Sequence, residues 1–419
     1  MGMTLSEKIL AAHAGRHVLR PGQIVEARAD LLMANDITAP LAIDAFKDTG
    51  ALKVFDPDRV VLIADHFTPN KDLATARQVR KMLDFAAAQM LTHRFEGGRA
   101  GVEHVLLPEQ GLALPGEIIA GADSHTSTMG ACGAWAVGVG STDIGAAMAT
   151  GKVWFKVPAT LRVELTGSLG PWSSAKDLAL EMLRRLGPDG ADYLALEFHG
   201  PLAGRLSMSQ RQCLANMAVE AGAKTGIFGV DDITRDYLAD RARRPWQAVA
   251  PDPDAVYHDT ITINADGLGP LIARPHSPYD VAPAGESSRE AINQVFIGSC
   301  TNGRLDDLRQ AAAVLQGRQV HSRVRLIVLP ATPAIYRQAL KEGVLETIVE
   351  AGGQVGPPSC GPCLGGHLGV LAPGEVAVAT SNRNFIGRMG HRTSRVYLAG
   401  PMVAAASAVL GRVASPEEL

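Results

Sequence analysis

The segment "PPSCGPCLGG" (357–366) sets Cys360 and Cys363 with two residues between them, a spacing that serves disulfide exchange or metal ligation. Exchange works best where a helix follows the pair, because the helix N-terminus lowers the pKa of the attacking thiol. Here Leu364-Gly365-Gly366 follows, and adjacent glycines propagate a helix poorly. A third cysteine, Cys300 in "FIGSCTNG", sits between a predicted strand and a helix predicted from near Leu305, where turn N–H groups favour a thiolate. The pattern is C-x59-C-x2-C. Three cysteines in tight turns suit an iron–sulfur cluster in which one iron lacks a cysteine ligand. A Cys3His zinc site is the rival, with His367 close behind the pair. Inert buried thiols fit as well, and spacing alone leaves all three open. Cys132 and Cys213 lie in small-residue and helical settings and read as core.

Asp65-His66 and Asp123-Ser124-His125 put carboxylates beside imidazoles at predicted strand ends. A carboxylate fixes a histidine tautomer and raises its basicity, which general acid–base work requires. His104, in "GVEHVLLPEQG", can join them. Singly, each histidine reads as a hydrogen-bonded structural residue; two acid–imidazole pairs at strand termini favour chemistry. "SNRNFIGR" carries Asn382, Arg383 and Arg388 beyond another strand. Arginines in polar loops bind carboxylates through paired N–H donors, so a di- or tricarboxylate fits; a surface ion pair is the plain alternative. "GVGSTDIG" does not complete a dinucleotide-binding loop and lacks an acidic ribose partner.

The elements that must position these groups recur as short β-branched runs ending in polar loops: "RVVLIADH" (59–66), "GEIIAGADSHT" (116–126), "NQVFIGSCTNG" (293–303), "RVRLIVLP" (323–330) and "EVAVATSNRN" (375–384). Near-continuous apolar runs of this kind suit strands buried on both faces of a parallel sheet. Helical-period stretches such as "LATARQVRKMLDFAAAQM" and "LDDLRQAAAVLQG" separate them. In such sheets ligands collect at the strands' carboxyl ends, where the candidate residues fall. Composition shifts near 158–172, and the Pro/Gly/Ser-rich stretch 264–288 read as a linker, predict three α/β units at 1–158, 159–285 and 286–419.

With 419 residues, 46% apolar and only 20% charged, the chain is too long for one ordinary core and too apolar to be disordered. A net charge of −3 without basic runs gives no footprint for nucleic acid. Five cysteines, an odd number, do not form a secretory disulfide framework. No apolar run approaches the roughly 18 residues of a membrane span, and no signal peptide is visible, so a cytoplasmic location is expected. Met1-Gly2 with Ser6 spells a myristoylation pattern, but Thr4-Leu5-Ser6-Glu7 reads more simply as a capping box.

"ADSHT", "IGSCTNGR", "SCGPCLGG" and "TSNRNFIGR", in this order, resemble the aconitase superfamily, and the resemblance runs from "LSEKILA" to "PMVAAASAV". It is closest to the shorter branch of the 3-isopropylmalate dehydratase and homoaconitase large subunits. The resemblance implies three α/β/α units with mostly parallel sheets around a central cluster-binding cleft. It implies one [4Fe–4S] cluster per subunit on Cys300, Cys360 and Cys363, acting as a Lewis acid in a hydro-lyase. Asp65-His66 would help protonate the departing hydroxyl, with His104, Asp123 and His125 in the same hydrogen-bonded set. "ANMAVEAG" matches the stretch that supplies Asn216 and Glu220, which the residues alone present as ordinary core. Ser124 and Asn382 would line the site, and Arg383 and Arg388 would bind substrate carboxylate. The expected reaction interconverts 2- and 3-isopropylmalate in leucine biosynthesis; homoaconitase and methylated-malate hydratase are the alternatives. Met129 stands where longer bacterial isopropylmalate dehydratases usually carry histidine. A swivelling domain present in single-chain aconitases has no counterpart before the chain stops at "VASPEEL", so a separate small subunit is the expected partner, with neither nucleic acid nor membrane. A cluster-bearing RNA regulator and a thioredoxin-like protein are the readings from other classes. The charge disfavours the first, and Cys300 with the acid–imidazole pairs disfavours the second.

Overall fold

The computed structural model describes residues 2–287 and 289–419. All five apolar runs named above form strands. In the first sheet, the strands His93–Phe95, Val60–Ile63, Leu31–Asn35, Ile118–Gly121 and Trp135–Gly138 lie side by side in that order, all parallel. The middle strands are buried throughout, which is why their sequences run apolar instead of alternating. The covering helix Leu73–Ala88 starts at Asp72, whose carboxylate accepts from Thr75 N (2.8 Å), and turns Val79, Met82, Phe85 and Ala86 inward. Near the N-terminus the capping box is present: Thr4 N donates to Glu7 Oε2 (2.8 Å) at the head of helix Leu5–His13.

The second sheet is four-stranded and parallel, ordered Thr225–Phe228, Ala195–His199, Thr160–Thr166, Asp259–Asn264. The third has seven strands, ordered Val281–Pro283, Leu271–Ala273, Arg395–Ala399, Val376–Ala379, Gln294–Ile297, Arg325–Val328, Gln354–Val355. It is parallel from Arg395–Ala399 onward, while Leu271–Ala273 runs antiparallel to both its neighbours. The stretch read as a linker therefore carries two sheet strands. At three residues each, between Pro and Gly turns, they are too short for periodicity to reveal.

Strand order locates the chemistry. In the first sheet the chain leaves Leu31–Asn35 toward one edge and Ile118–Gly121 toward the other, so a switch point lies between these neighbours. In the third sheet the same reversal separates Gln294–Ile297 from Val376–Ala379. Crevices open at the carboxyl ends of such pairs. The two crevices are tied together where Cys360 N donates to Asp65 O (2.9 Å).

Candidate active site

A cavity of about 150 Å³ occupies this junction. Of the candidate residues, His66, His104, Asp123, Ser124, His125, Cys300, Cys360, Cys363, Asn382, Arg383 and Arg388 line it. Asp65, Asn216 and Glu220 stand one layer behind, bonded to lining groups. Asn35, Ile37, Thr38 and Leu364 complete the wall.

From the first sheet come the acids and imidazoles. His66 Nδ1 donates to Asp65 Oδ1 (2.6 Å), which leaves Nε2 toward the cavity side, 3.7 Å from Asp123 Oδ2. Burial alone would lower the His66 pKa; the Cys360 sulfur and Asp65 outweigh it and hold the pKa well above the ordinary value. His104 Nε2 donates to Asp123 Oδ1 (2.9 Å), and His125 N donates to the same oxygen (2.8 Å). Burial works against the Asp123 charge, yet His104 and His125 keep its pKa well below the usual carboxylate range. The sequence folds this way because Asp123 caps the 3₁₀ segment Ser124–Cys132 directly after a strand.

The second sheet contributes through the helix Met208–Met217 and the turn Ala218–Ala221. Glu220 Oε1 accepts from His125 Nε2 (2.7 Å) and from Arg383 Nε (2.8 Å). Burial opposes its ionisation, but His125 and Arg383 leave its pKa lowered. Asn216 Nδ2 donates to Thr128 Oγ1 (2.8 Å), and its Oδ1 accepts from Asn382 Nδ2 (3.3 Å). Asp65, His66, Asp123, His125, Glu220 and Arg383 thus form one chain of contacts that links the first, second and third sheets.

The third sheet brings the sulfurs and the guanidinium groups. Cys300 sits in the short helix Ser299–Asn302, entered through Ser299 in a left-handed conformation (φ 74°). Such a conformation costs energy for a non-glycine residue and is held only where the surroundings fix it. Cys360 caps, and Cys363 lies within, a 3₁₀ turn, Gly361–Leu364, that no helix continues, so the geometry of a thioredoxin-like dithiol is absent. All three thiols are free and buried. Burial pushes Cys300 up to about 12, so as a lone thiol it stays protonated.

Donors nevertheless converge on these sulfurs. Asn382 Nδ2 is 3.3 Å from Cys300 Sγ, Ser299 Oγ is 3.7 Å from Cys363 Sγ, and Arg388 Nη2 is 3.9 Å from Cys363 Sγ. N–H and O–H groups aimed at sulfur stabilise thiolate, the form that binds metal, so this donor set fits a thiolate-held cluster. His367 does not join them: its Nε2 bonds the Pro69 carbonyl at 2.9 Å, outside the cavity wall, which removes the fourth ligand of the zinc reading.

Several site groups were not singled out from the sequence. Asp36 accepts from three successive backbone N–H groups, Asp65 (3.2 Å), His66 (3.0 Å) and Phe67 (2.8 Å), and so aims the Asp65-His66 loop. Glu103 is wholly buried between Asn35 Nδ2 (2.9 Å) and His104. Burial, with the Asp65 and Asp123 charges, pushes its pKa well above the ordinary value. Its place beside His104 was the available signal. Lys176 reaches the same region from the second sheet's helix Ala175–Leu186, and no motif marks it.

The model of the aconitase family (aconitate hydratase) matches residues 7–411. The chain belongs to the aconitase family. Within that family it is 57% identical over 419 residues to the 3-isopropylmalate dehydratase large subunit of Moorella thermoacetica, covering 100% of both chains. It is 54% identical over 420 residues to 3-isopropylmalate dehydratase large subunit 1 of Pyrococcus furiosus, covering 100% of this chain and 99% of that one. Holo aconitase X of Thermococcus kodakaraensis superposes with a TM-score of 0.49 and 16% identity over 91% of this chain and 93% of that one.

Proposed function

We propose that this chain is the large subunit of a 3-isopropylmalate dehydratase, a hydro-lyase that interconverts 2- and 3-isopropylmalate in leucine biosynthesis. Its full-length identity of 57% to a large subunit of that name carries the reading. The cavity supports it. Among the fifteen lining residues only Ile37 and Leu364 present plain hydrocarbon side chains, a small apolar wall that suits a branched alkyl group better than the further carboxylate of homocitrate.

Cys300, Cys360 and Cys363 would hold an iron–sulfur cluster, read as [4Fe–4S]. When bound, it supplies a Lewis acid beside the substrate's hydroxyl group. The chain's own residues do the rest. Arg383 has its Nε engaged by Glu220, while its two terminal amino groups have no protein partner among the described residues and are available to a carboxylate. Arg388 borders the same wall. His66, kept protonated by Asp65 and Cys360, gives its Nε2 proton to the departing hydroxyl, and the carboxylates behind it take up the charge change. Asp123 and Glu220 hold the His104 and His125 rings in fixed tautomers. Loss of water and of a C–H proton leaves an unsaturated dicarboxylate, and water returns at the neighbouring carbon.

A large subunit implies a small one, and we assign to that partner the base that removes the C–H proton and the closure that excludes water. The anaerobically reconstituted chain should turn over 3-isopropylmalate only with its small subunit, and faster than homocitrate or methylated malates. Full turnover without a partner contradicts the split enzyme; preference for homocitrate keeps the chemistry and overturns the substrate.

A further inference from the structure

Lys176 opens the helix Ala175–Leu186, and the residue is 0% exposed. Its Nζ donates to the carbonyls of Ser381 (2.6 Å) and Thr380 (3.0 Å) and lies 3.4 Å from Asn302 Oδ1. All three acceptors are neutral, and no carboxylate among the described residues pairs with it directly. A buried ammonium without a counter-charge is costly, and hydrogen bonds alone do not offset the loss of water.

The available counter-charge is already shared. Asp307 is reached only through the Asn302 amide, whose Nδ2 donates to Asp307 Oδ1 (2.8 Å). Its other oxygen accepts from Arg304 N (3.0 Å). Arg304 is a second buried cation, and its guanidinium likewise finds neutral acceptors: the Cys300 carbonyl (2.7 Å), the Thr301 carbonyl and the Gln212 side chain. Burial also pushes the Asp307 pKa up to about 6, so its charge is weakly held. Two buried cations therefore face one reluctant carboxylate. Burial pushes the Lys176 pKa down, and besides Asp307 it is Cys213, Cys300 and Cys363 that act to raise it. Burial pushes Cys213 up to about 11, which keeps it neutral. Cys300 and Cys363 bring negative charge when they serve as thiolate ligands.

We infer that Lys176 is a buried counter-charge to the iron–sulfur cluster, held from the second sheet's helix against the strand end that carries Asn382 and Arg383. The inference rests on the cluster reading above. Lys176 touches no substrate; it is a positioning and charge-balancing residue. Positive charge beside a cluster favours its more reduced, more negative state and steadies its thiolates. Without that charge the cluster is harder to reduce and gives up iron more readily.

Lys176→Gln keeps a donor for the Ser381 carbonyl and removes the charge, whereas Lys176→Arg keeps the charge. After anaerobic loading with iron and sulfide, redox titration followed by EPR should place the Gln variant's potential more negative than wild type. Its iron loss under mild oxidation should be faster, and its gain in Tm on loading smaller; the Arg variant should move all three back toward wild type. Wild-type values of all three in the Gln variant overturn the inference. Lys176→Met, which keeps the shape without charge or donor, replaces it with the same expectations if the Gln variant does not fold. Failure of both to fold identifies a structural clamp and also overturns the inference. Wild-type protein that assembles no cluster refutes the cluster reading itself.

Discussion

The carboxyl ends of the first and third sheets face each other across one cavity, yet they hold their functional groups by different means. On the first sheet the groups are fixed side chain to side chain: Asp65 to His66, Asp123 to His104, and His125 onward to Glu220. On the third, the cysteines are fixed by backbone turns and ringed by neutral donors and cations, with Asn382, Ser299 and Arg388 at the sulfurs. Under the proposed function the difference follows from what each half would do. An imidazole that moves protons needs a defined tautomer and a carboxylate to absorb its change of charge. A thiolate that stays ligated needs surrounding donors.

The contrast is most easily broken at the sulfurs. Cys363→Ser should abolish turnover and leave a protein deficient in iron and sulfide, while its circular dichroism matches wild type, because the Cys363 sulfur makes only long contacts, 3.7 Å to Ser299 and Asn382 and 3.9 Å to Arg388. A folded Ser variant with full metal content would remove Cys363 from the ligand set.

On the other side of the cavity, His66→Asn should lower kcat by about 10²–10⁴-fold, as for a lost general acid, with iron and sulfide retained. Loss of metal in parallel with activity would erase the division of labour between the two sheets.

Arg383→Lys sharpens the comparison, since Arg383 belongs to the third sheet but is bonded to Glu220 in the acid–imidazole chain. Lysine keeps the charge and loses the planar pair of donors. The expected cost is about 1.5–3 kcal/mol, or roughly 10- to 150-fold in kcat/KM, with cluster content unchanged. Unaltered kinetics would make Arg383 a structural ion-pair residue.

The smallest effect belongs to the apolar wall. Ile37→Ala should cost about 1 kcal/mol against 3-isopropylmalate, for partial loss of methylene contact, roughly fivefold in kcat/KM, and little against a methylated malate. Equal losses on both substrates would place the alkyl group elsewhere.

Sequence by itself went far here. The apolar runs ending in Asp-His, Asp-Ser-His, Cys and Asn-Arg announced parallel strands with chemistry at their carboxyl ends, because a strand buried on both faces has to be apolar until it leaves the sheet. Those strands are present, and the fold is α/β with mainly parallel sheets. The three cysteines were legible from their turns, while the choice among cluster, zinc and inert thiol was not, since spacing does not say where His367 points. Asn216 and Glu220 came from family resemblance alone: the helix Met208–Met217 is buried throughout most of its length and reads as core, and only packing against Ser124–Cys132 turns its end into part of the site.

Tertiary structure decided the rest. Asp36 and Lys176 carry no motif, because each acts on a partner distant in sequence. Asp36 reaches residues 65–67, and Lys176 reaches residues 380 and 381. Local sequence sets which strands form and where they end. Strand order sets which ends meet, and that order follows from long-range burial that no short window of sequence contains.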